Sequence, residues 1–353
     1  MFRNWMQRIT LTDIVVWTIG LAILVGVIWG SIATLSIGKY SMNTWIDLTI
    51  TGLALGGIYA LIALGYTLVY GILRMINFAH SEVFMSGPFT ATFAASALVA
   101  LGWWNRYPLL SLLLVTLISA TVSASIAILV ERIAYRPLRF APRLVPLITA
   151  IGASFFLQYA FRGLYGSGLK GYPEMEIFQG FWMLGSVRIF KTQAAAILGA
   201  VILMLILYGI VQLTKMGKAM RSVSEDKEVA ALMGIDVDKT ISRTFAIGGA
   251  AAGLAGILYL LLFPVAHFFM GFFPGLKAFT AAVLGGIGNV PGAFLGAMLL
   301  GLLESIGPSL FLDGLGIPAP YQLKDAIAFT ILVFILIFRP TGILGERLVQ
   351  AKA

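Results

Sequence analysis

Long apolar runs dominate this sequence of 353 residues and constrain its fold more than any other feature. A helix needs about 20 consecutive apolar residues to cross a bilayer core, and several of these runs reach that length. Transmembrane strands would instead give shorter segments of alternating polarity. The apolar runs are approximately 14–37, 46–72, 82–102, 107–130, 144–163, 193–214, 244–265, 276–306 and 322–338. We therefore predict an all-α, polytopic helical membrane protein.

Basic residues are concentrated in four segments beside the apolar runs: the N-terminus, 132–143, 215–243 and 339–352. Basic loops stay on the cytoplasmic side of a membrane, so we expect all four segments and both chain termini to be cytoplasmic. This distribution explains the net charge of +9 without nucleic-acid binding. Segments on the same side of a membrane must be separated by an even number of crossings. Even numbers of runs separate the first three segments, but an odd number separates the last two, so one run in the last interval is not a simple crossing.

The run 276–306 is the best candidate for this exception. As one helix it would be about 46 Å long, well beyond a hydrocarbon core of about 30 Å. Its middle, GGIGNVPG at 285–292, is incompatible with a straight helix. We predict a broken or re-entrant element, two short helices joined at Asn289–Pro291, in addition to about eight spans. Irregular backbone inside a bilayer is tolerated only against protein or a water-filled cavity, which makes Asn289 and Pro291 candidates for a translocation pathway.

Polar residues interrupt a second region, which reads RMINFAHSEVFMSGP over 74–88. Ionisable groups within apolar segments are functional candidates, so we expect Asn77, His80 and Glu82 to line a hydrated pathway. A structural explanation is also open: Asn77 and Ser81 cap the helix that begins near Glu82, and the Glu82 carboxylate interacts favourably with the helix dipole. Under that explanation His80 donates only a local hydrogen bond.

A Gly-interrupted apolar run with an embedded Asn occurs in each half of the chain, at 52–87 and at 271–301. Matched broken segments of this kind indicate an internal repeat of two halves around a central pathway. Close helix packing explains the same glycines without a repeat, because membrane helices pack through small residues. Both explanations are open on the sequence.

No motif in the sequence indicates catalytic or metal-binding chemistry. Cysteine is absent and the only histidines are His80 and His267, which excludes disulfides and thiolate sites and argues against a histidine-rich metal centre. The basic stretch GKAM at 217–220 lacks the flanking residues of a phosphate-binding loop, so we do not expect the chain to hydrolyse ATP itself. We predict no catalytic residue, no bound metal and no enzymatic activity.

The basic segment 215–243 contains the pattern of a short amphipathic helix. Ser222 followed by Glu225 has capping-box spacing and predicts a helix start, and Gly234 predicts its end. Apolar residues fall on one side of this helix and acidic residues lie nearby; these are Val229, Leu232 and Met233, with Glu225, Asp226 and Glu228. A helix of this kind either docks into a groove on a soluble partner or rests on the bilayer surface.

Five ordered motifs resemble the permease subunits of ABC importers, specifically those of the branched-chain amino acid type. They are GGIYALIALGYTLVYGILRMINFAHSEVFMSGPF (56–89), ERIAYRPLR with PRLVPLITAIG (131–152), SEDKEVAALMGID (224–236), KAFTAAVLGGIGNVPGAFLGA (277–297) and RPTGILGE (339–346). The resemblance covers about 46–346 and implies a permease domain there. The family usually begins near position 46 of this chain, so residues 1–45 are an N-terminal extension. Arg3 and Arg8 followed by a long apolar run predict that this extension holds a retained transmembrane helix. Residues 347–353 are expected to form a cytoplasmic tail.

The resemblance implies a multi-subunit importer in the bacterial plasma (inner) membrane. Two permease subunits, this chain and a homologous second one, form the pathway. Two ATPase subunits bind ATP, so this chain needs no cofactor, and a periplasmic or lipid-anchored binding protein delivers the substrate. Branched-chain or other neutral amino acids are the implied substrates; related permeases carry urea or amides. A stand-alone secondary transporter or channel is the alternative from another class, and it would need no docking helix.

Part of the amphipathic helix resembles the coupling motif of ABC permeases, which favours docking on an ATPase. The match is the spacing from Glu228 to Gly234, with Ala230 and Ala231 between them. The residues expected to couple this chain to an ATPase are Ser222, Glu225, Asp226, Glu228, Ala230, Ala231 and Gly234. Residues 222–236 are called the coupling segment below.

Overall fold

The computed structural model describes residues 11–139, 141–142, 144–339 and 341–345 of the chain. Within these residues, nine helices are long and apolar enough to cross a membrane, which confirms the predicted polytopic helical fold. The predicted tail, 347–353, lies outside the described residues, as do Arg3 and Arg8. The α-helices are α1 (Leu11–Ile37), α2 (Met42–Leu73), α3 (His80–Ala100), α4 (Trp103–Arg106), α5 (Pro108–Val130), α6 (Leu144–Tyr165), α7 (Lys191–Leu213), α8 (Lys215–Glu225), α9 (Lys227–Leu232), α10 (Val237–Leu262), α11 (Phe272–Gly285), α12 (Val290–Gly307) and α13 (Lys324–Phe338).

Helix α2 runs through the centre of the bundle and is buried over most of its second half. Small residues let α12 approach it closely. A Cβ added at Gly56 would lie 2.9 Å from Met298 Cα, and Gly301 lies directly against the Gly56 backbone. Lipid removes most of the hydrophobic driving force between helices, so close packing and its dispersion contacts stabilise such a pair. The small-residue clusters of the sequence therefore serve as packing surfaces here.

The run 276–306 is split into two helices, as its sequence predicts. Helix α11 ends at Gly285 and α12 begins at Val290, and the two form a hairpin in which Gly296 lies against the Ala281 carbonyl. Helix α11 has 14 residues, about 21 Å at 1.5 Å per residue. That length is too short to cross a hydrocarbon core of about 30 Å. The prediction of a broken element is confirmed.

Three loops, 131–139, 214–236 and 341–345, lie at one end of the bundle, which we call the basic end because the first two are rich in Lys and Arg and the third follows Arg339. Arg139 Nη1 donates to Asp238 Oδ1 at the start of α10, which joins the first loop to the second. The third loop packs on the hairpin between α11 and α12 through two backbone hydrogen bonds of 2.8 and 3.0 Å. The clustering of basic loops at one end agrees with the positive-inside pattern.

The opposite end of the bundle carries two small antiparallel sheets. One sheet joins the loop after α6 to the end of α10, and the other is a hairpin that precedes α7. The strands are β1 (Lys170–Gly171), β2 (Phe181–Leu184), β3 (Val187–Phe190) and β4 (Val265–Ala266), with β1 paired to β4 and β2 to β3. The sheets link the ends of three helices far from the coupling segment.

Helix α1, within the predicted N-terminal extension, packs on the outside of the bundle. The rings of Trp17 and Phe338 meet edge to face with centroids 5.3 Å apart, and Lys39 Nζ lies 2.8 Å from Asp313 Oδ1. Most of the large side chains along α1 are exposed and apolar, as expected for a helix that faces lipid. Helix α1 is therefore peripheral and contributes little to the centre of the bundle.

Candidate transport and coupling sites

The polar stretch 74–88 forms the junction between α2 and α3 and the first turns of α3, and its geometry corrects two predicted caps, Ser81 and Asn77. Helix α3 begins at His80 and is preceded by Ala79, which has no capping side chain. Ser81 lies inside the first turn, where its Oγ donates to the Phe78 carbonyl at 2.8 Å. The predicted capping role of Ser81 is wrong, because the helix has already begun when the chain reaches it.

Asn77 does not cap α3 either, since its side chain is engaged elsewhere. It is buried, and the Tyr135 hydroxyl lies 3.1 Å from both Asn77 Oδ1 and the Ile76 carbonyl. Tyr135 belongs to the π-helical turn Glu131–Tyr135 that follows α5. Buried polar groups require such partners. The contact ties the junction before α3 to the chain after α5.

Glu82 is fully buried in the first turn of α3, where its carboxylate faces α6. Gln158 Nε2 donates to Oε1 at 2.7 Å, and Ser154 Oγ donates to the same oxygen at 3.3 Å. The second oxygen, Oε2, has no hydrogen-bond partner among the described residues. The position within the first turn gives the favourable dipole interaction that the structural explanation expects. The unpartnered oxygen leaves one acceptor of a buried carboxylate available.

His80 is buried against α2 at the start of α3. Its ring packs edge to face on Tyr66 with centroids 4.8 Å apart, and Nε2 has no hydrogen-bond partner among the described residues. Gly271 and Gly275, at the start of α11, lie against Ser81. The first turns of α3 and α11 therefore meet inside the bundle. Both helix N-termini direct their partial positive charge toward this region.

Asn289 and Pro291 lie at the basic end, in the turn between α11 and α12. Asn289 caps α12: its Oδ1 accepts from the Gly292 N–H at 2.9 Å, and its Nδ2 donates to the Leu344 carbonyl at 2.9 Å. Pro291 occupies the first turn of α12, where its missing N–H is not needed. The structure thus places Asn77, His80 and Glu82 at the junction before α3 and in its first turn, whereas Asn289 and Pro291 shape the start of α12.

Four charged residues from three helices form a network that the sequence patterns did not indicate. On α11, Lys277 Nζ lies 2.6 Å from Glu304 Oε1 of α12 and 2.6 Å from Asp325 Oδ1 of α13. Lys324 Nζ lies 3.9 Å from Glu304 Oε1. Lys277 and Glu304 both fall within the apolar run 276–306, and charges inside such a run are the signal that could have identified them.

A second ionic cluster that the sequence did not predict surrounds Glu131 at the basic end. Glu131 is fully buried; Arg136 donates to both of its oxygens at 3.2 Å, and Ser242 Oγ donates to Oε2 at 2.7 Å. Arg139 donates to Glu131 Oε1 and to Asp238. Through these contacts to Ser242 and Asp238, the cluster connects the chain after α5 to the start of α10. Among the described residues, no group of three or more His, Cys, Asp or Glu side chains is placed to hold a metal ion.

The coupling segment contains the end of one helix and the whole of another, and not the single helix that its pattern predicts. Helix α8 is capped by Thr214, whose Oγ1 accepts from the Gly217 N–H at 3.0 Å. Ser222 therefore lies in the last turn of α8, where its Oγ donates to the Lys218 carbonyl. The predicted capping box from Ser222 to Glu225 is wrong, because Thr214 supplies an earlier cap and the helix is already formed.

Asp226 ends α8 and begins α9. Its backbone is extended, with φ of −149°, which breaks the helix. Its Oδ1 accepts from the N–H groups of Glu228 and Val229 at 2.8 and 3.0 Å. Two of the orphan donors at the start of α9 are satisfied in this way, and such a cap contributes about 1 kcal/mol. Glu228 in the first turn adds a favourable interaction with the helix dipole.

Gly234, the predicted stop, turns the chain sharply after α9. Its φ is +83°, a left-handed conformation that glycine adopts without strain. The N–H groups of Gly234 and Ile235 donate to the carbonyls of Ala231 and Ala230, both at 3.0 Å. This pair of hydrogen bonds is a Schellman motif, which satisfies the last carbonyls of the helix.

Helix α9 presents a compact apolar surface outside the bundle. Leu232 is 87% exposed, Met233 is 78% exposed and Val229 is 54% exposed, whereas Ala230 is buried against the rest of the protein. Large apolar side chains clustered on an exposed surface mark a contact with another protein or with the membrane. The exposed side of α9 is available for such a contact, while Ala230 on its other side packs on the bundle.

A groove separates the end of α2 from the coupling segment. It is lined by Ile72, Arg74 and residues 223–228. Burial lowers the pKa of the Lys227 amine in this groove, and the nearby positive charges of Arg139 and Arg74 lower it further. The coupling segment thus lies beside the junction that leads from α2 to Asn77 and His80.

Comparison with known proteins places this architecture in a family. Residues 48–336 match the family model described as branched-chain amino acid transport system, permease component. The high-affinity branched-chain amino acid transport system permease protein BraD of Pseudomonas aeruginosa is 42% identical over 306 residues, covering 85% of this chain and 96% of BraD. The corresponding permease protein LivH of Escherichia coli K12 is 40% identical over 304 residues, covering 85% of this chain and 95% of LivH.

A more distant relative carries a different subunit name. The probable branched-chain amino acid transport permease protein LivM of Methanocaldococcus jannaschii is 31% identical over 144 residues, or 38% of this chain and 41% of LivM. No solved structure matches the chain. The matched family region and the long relatives together show that the chain belongs to the family of branched-chain amino acid transport system permease components.

Proposed function

We propose that this chain is a permease subunit of an ABC importer that carries branched-chain amino acids across the bacterial plasma membrane. The observation that carries this proposal is α9, a capped helix outside the bundle with three large apolar side chains exposed. A stand-alone transporter or channel does not need such a surface. The relatives BraD and LivH are permease proteins of branched-chain amino acid systems, which supports the substrate class.

Helix α9 docks in a cleft of an ATPase subunit, and Leu232 and Met233 become buried there. Burial of a large apolar side chain contributes about 1.5–3 kcal/mol, so two of them provide a useful anchor. Because Ala230 already packs on the bundle, a displacement of α9 is passed to the helices on either side, α8 and α10. The Glu131 cluster then links the start of α10 to α5. ATP-driven closure of the partner is converted into helix movement along this route.

The translocation route passes the meeting point of α3 and α11, where Asn77, His80 and Glu82 lie. Glu82 Oε2 and His80 Nε2 lack partners in the described residues. A buried polar atom without a partner is unfavourable by about 1–3 kcal/mol, so water or substrate is expected to satisfy these atoms when the route opens. Asn289 and Pro291 border the route at the basic end, which is cytoplasmic by the positive-inside rule, together with both termini.

The full importer contains a second, homologous permease, two ATPase subunits that bind ATP, and a periplasmic or lipid-anchored binding protein. Similarity to a LivM permease as well as to LivH supports pairing with a related permease. Residues 46–346 form the permease domain, and 1–45 add the peripheral helix α1.

Reconstituted uptake tests this proposal. The chain is co-expressed with the second permease, the ATPases and the binding protein of its own organism, and the purified complex is placed in liposomes. We expect ATP-dependent uptake of leucine, isoleucine and valine in preference to urea. Uptake that persists without ATP and without the ATPase subunits would support a secondary transporter or channel and overturn the proposal. ATP-driven uptake of urea or amides alone would overturn the substrate assignment.

A further inference from the structure

The charged network of Lys277, Glu304, Asp325 and Lys324 is unusual because much of it is buried within an apolar bundle. The side chains of Lys277 and Glu304 are 6% and 1% exposed, and those of Asp325 and Lys324 are 36% and 44% exposed. The Tyr59 hydroxyl lies 3.5 Å from Lys277 Nζ. Two lysines face two carboxylates, so the network is electrically balanced. Lys277 and Glu304 are therefore buried, whereas Asp325 and Lys324 are partly exposed.

Two features of the network leave it incompletely satisfied. Glu304 Oε2 has no hydrogen-bond partner among the described residues, although Glu304 is almost fully buried. Lys324 Nζ lies 3.9 Å from Glu304 Oε1, beyond hydrogen-bond distance. Burying one acceptor of a carboxylate without a donor is unfavourable, and a purely structural ion pair requires its remaining lone pairs to be satisfied.

The network is also close to the route already described, because α11 takes part in both. Gly271 and Gly275 at the start of α11 lie against Ser81, and Phe279 packs on Tyr66, the neighbour of His80. Lys277 lies between these contacts in the chain; it donates a hydrogen bond to Glu304 of α12 and forms an ion pair with Asp325 of α13. A ligand that engages Lys277 therefore acts on the helix whose first turn meets α3.

We propose that this network, Lys277 with Glu304, Asp325 and Lys324, binds the charged head group of a zwitterionic α-amino acid during transport, an inference that rests on the proposed function. The ligand ammonium donates to Glu304 Oε2 and Asp325. The ligand carboxylate accepts from Lys324 and Lys277. A zwitterion adds one charge of each sign, so a balanced network accepts it without leaving an uncompensated charge in a medium of low dielectric constant. A molecule with only one of the two charges does not meet this condition.

A single-cysteine reporter tests the site directly, because the chain contains no cysteine. Leu323 is 40% exposed beside Lys324 and is not part of the network. The Leu323→Cys variant, in a complex with its permease and ATPase partners in nanodiscs but without binding protein, is labelled with a maleimide. We expect leucine to slow labelling. We expect 3-methylbutylamine, which lacks the carboxylate, and 4-methylpentanoate, which lacks the ammonium, not to slow it. Unchanged labelling with leucine, or equal protection by either analogue, would overturn the proposal.

Glu304→Gln in the same reporter background tests the role of the buried carboxylate. Because the variant loses a charge-assisted hydrogen bond to the ligand, we expect the leucine concentration that gives half-maximal protection to rise by about tenfold or more. Glu176→Gln, the same change at an exposed carboxylate outside the network, between β1 and β2, is the matched control and keeps protection. If Glu304→Gln does not assemble with its partners, Lys277→Met combined with Glu304→Gln removes both charges and is expected to show the same loss. Protection unaffected by an assembled variant would refute the site.

Failure of this inference is distinguishable from failure of the proposed function. Normal ATP-driven uptake of leucine in the assembled Glu304→Gln complex, with an unchanged concentration dependence, refutes the site and leaves the function intact. Leucine-specific protection in a complex that shows ATP-independent uptake supports the site and refutes the ABC importer.

Discussion

Replacing Gly234 by valine should disable coupling while the chain still inserts and folds. At φ of +83° a β-branched residue is strained by about 1–2 kcal/mol, and no neighbouring atom lies within 4 Å of the added Cβ to compensate or to clash. Helix α9 has only six residues and depends on its two caps. A loss of about 2 kcal/mol lowers the equilibrium constant for forming the native turn by roughly 30-fold, and docking affinity falls by up to that factor as the unfolded turn becomes the major state.

Two variants separate coupling from general backbone strain. Gly234→Asn places a residue that tolerates the left-handed conformation at the same turn, and it should retain most uptake. Gly185→Val introduces comparable strain, at φ of +64° with no atom within 4 Å of the added Cβ, in the hairpin at the opposite end. It should keep uptake.

The assay is leucine uptake by the reconstituted complex, with ATPase co-purification measured on the same samples. We expect Gly234→Val to reduce uptake to a few per cent of the original rate and to weaken ATPase retention. Equal losses for Gly234→Val and Gly185→Val would show that strain acts on overall stability. Normal uptake and retention in Gly234→Val would refute the reasoning that the turn shapes a docking element.

Three further outcomes follow from the described contacts. Asp226→Ala removes the cap of α9 and should raise amide hydrogen exchange at Glu228 and Val229 by about fivefold, whereas Asp226→Asn should preserve protection. Glu131→Ala removes a buried acceptor shared by two arginines and should destabilise the protein by about 1–3 kcal/mol, seen as a lower midpoint in thermal unfolding; the loss is limited because Arg136 is 38% exposed and Arg139 keeps Asp238. Hydrogen bonds from the backbone and side chain of Lys239 hold the pKa of Asp236 below its usual range. The cap that Asp236 forms on α10 should therefore be fully present at pH values above the ordinary carboxyl pKa, and it should weaken as pH falls through the lowered pKa. Hydrogen exchange at the start of α10, with Asp236→Asn lacking this pH dependence, measures that effect.

Local chemistry explains which features were predictable from the sequence. The break between α11 and α12 follows from GGIGNVPG, because glycine and proline act on the backbone at their own positions. The stop at Gly234 is local in the same sense. The predicted helix start at Ser222 was wrong because other residues cap the helices of the coupling segment. Ser222 and Glu225 have suitable spacing, but Thr214 caps α8 eight residues earlier and Asp226 caps α9.

The contacts of the candidate sites depend on tertiary packing that no local pattern encodes. Glu82 meets Gln158 across 76 residues of chain, and Lys277 meets Glu304 across 27. The sequence indicates that charges inside apolar runs need partners, which is a physical requirement. The identity of the partner depends on which helices lie side by side.

Cross-linking from the exposed surface of α9 is the most direct test of the central claim, that α9 docks on an ATPase subunit. Leu232→Cys, at a side chain 87% exposed, is modified with a maleimide photocross-linker in the assembled complex, and Leu169→Cys, 73% exposed at the opposite end, serves as the matched control. We predict that the Leu232→Cys variant cross-links to an ATPase subunit in high yield and that the Leu169→Cys variant does not. Absence of a cross-link between the Leu232→Cys variant and the ATPase, in a complex that takes up leucine, would contradict the account.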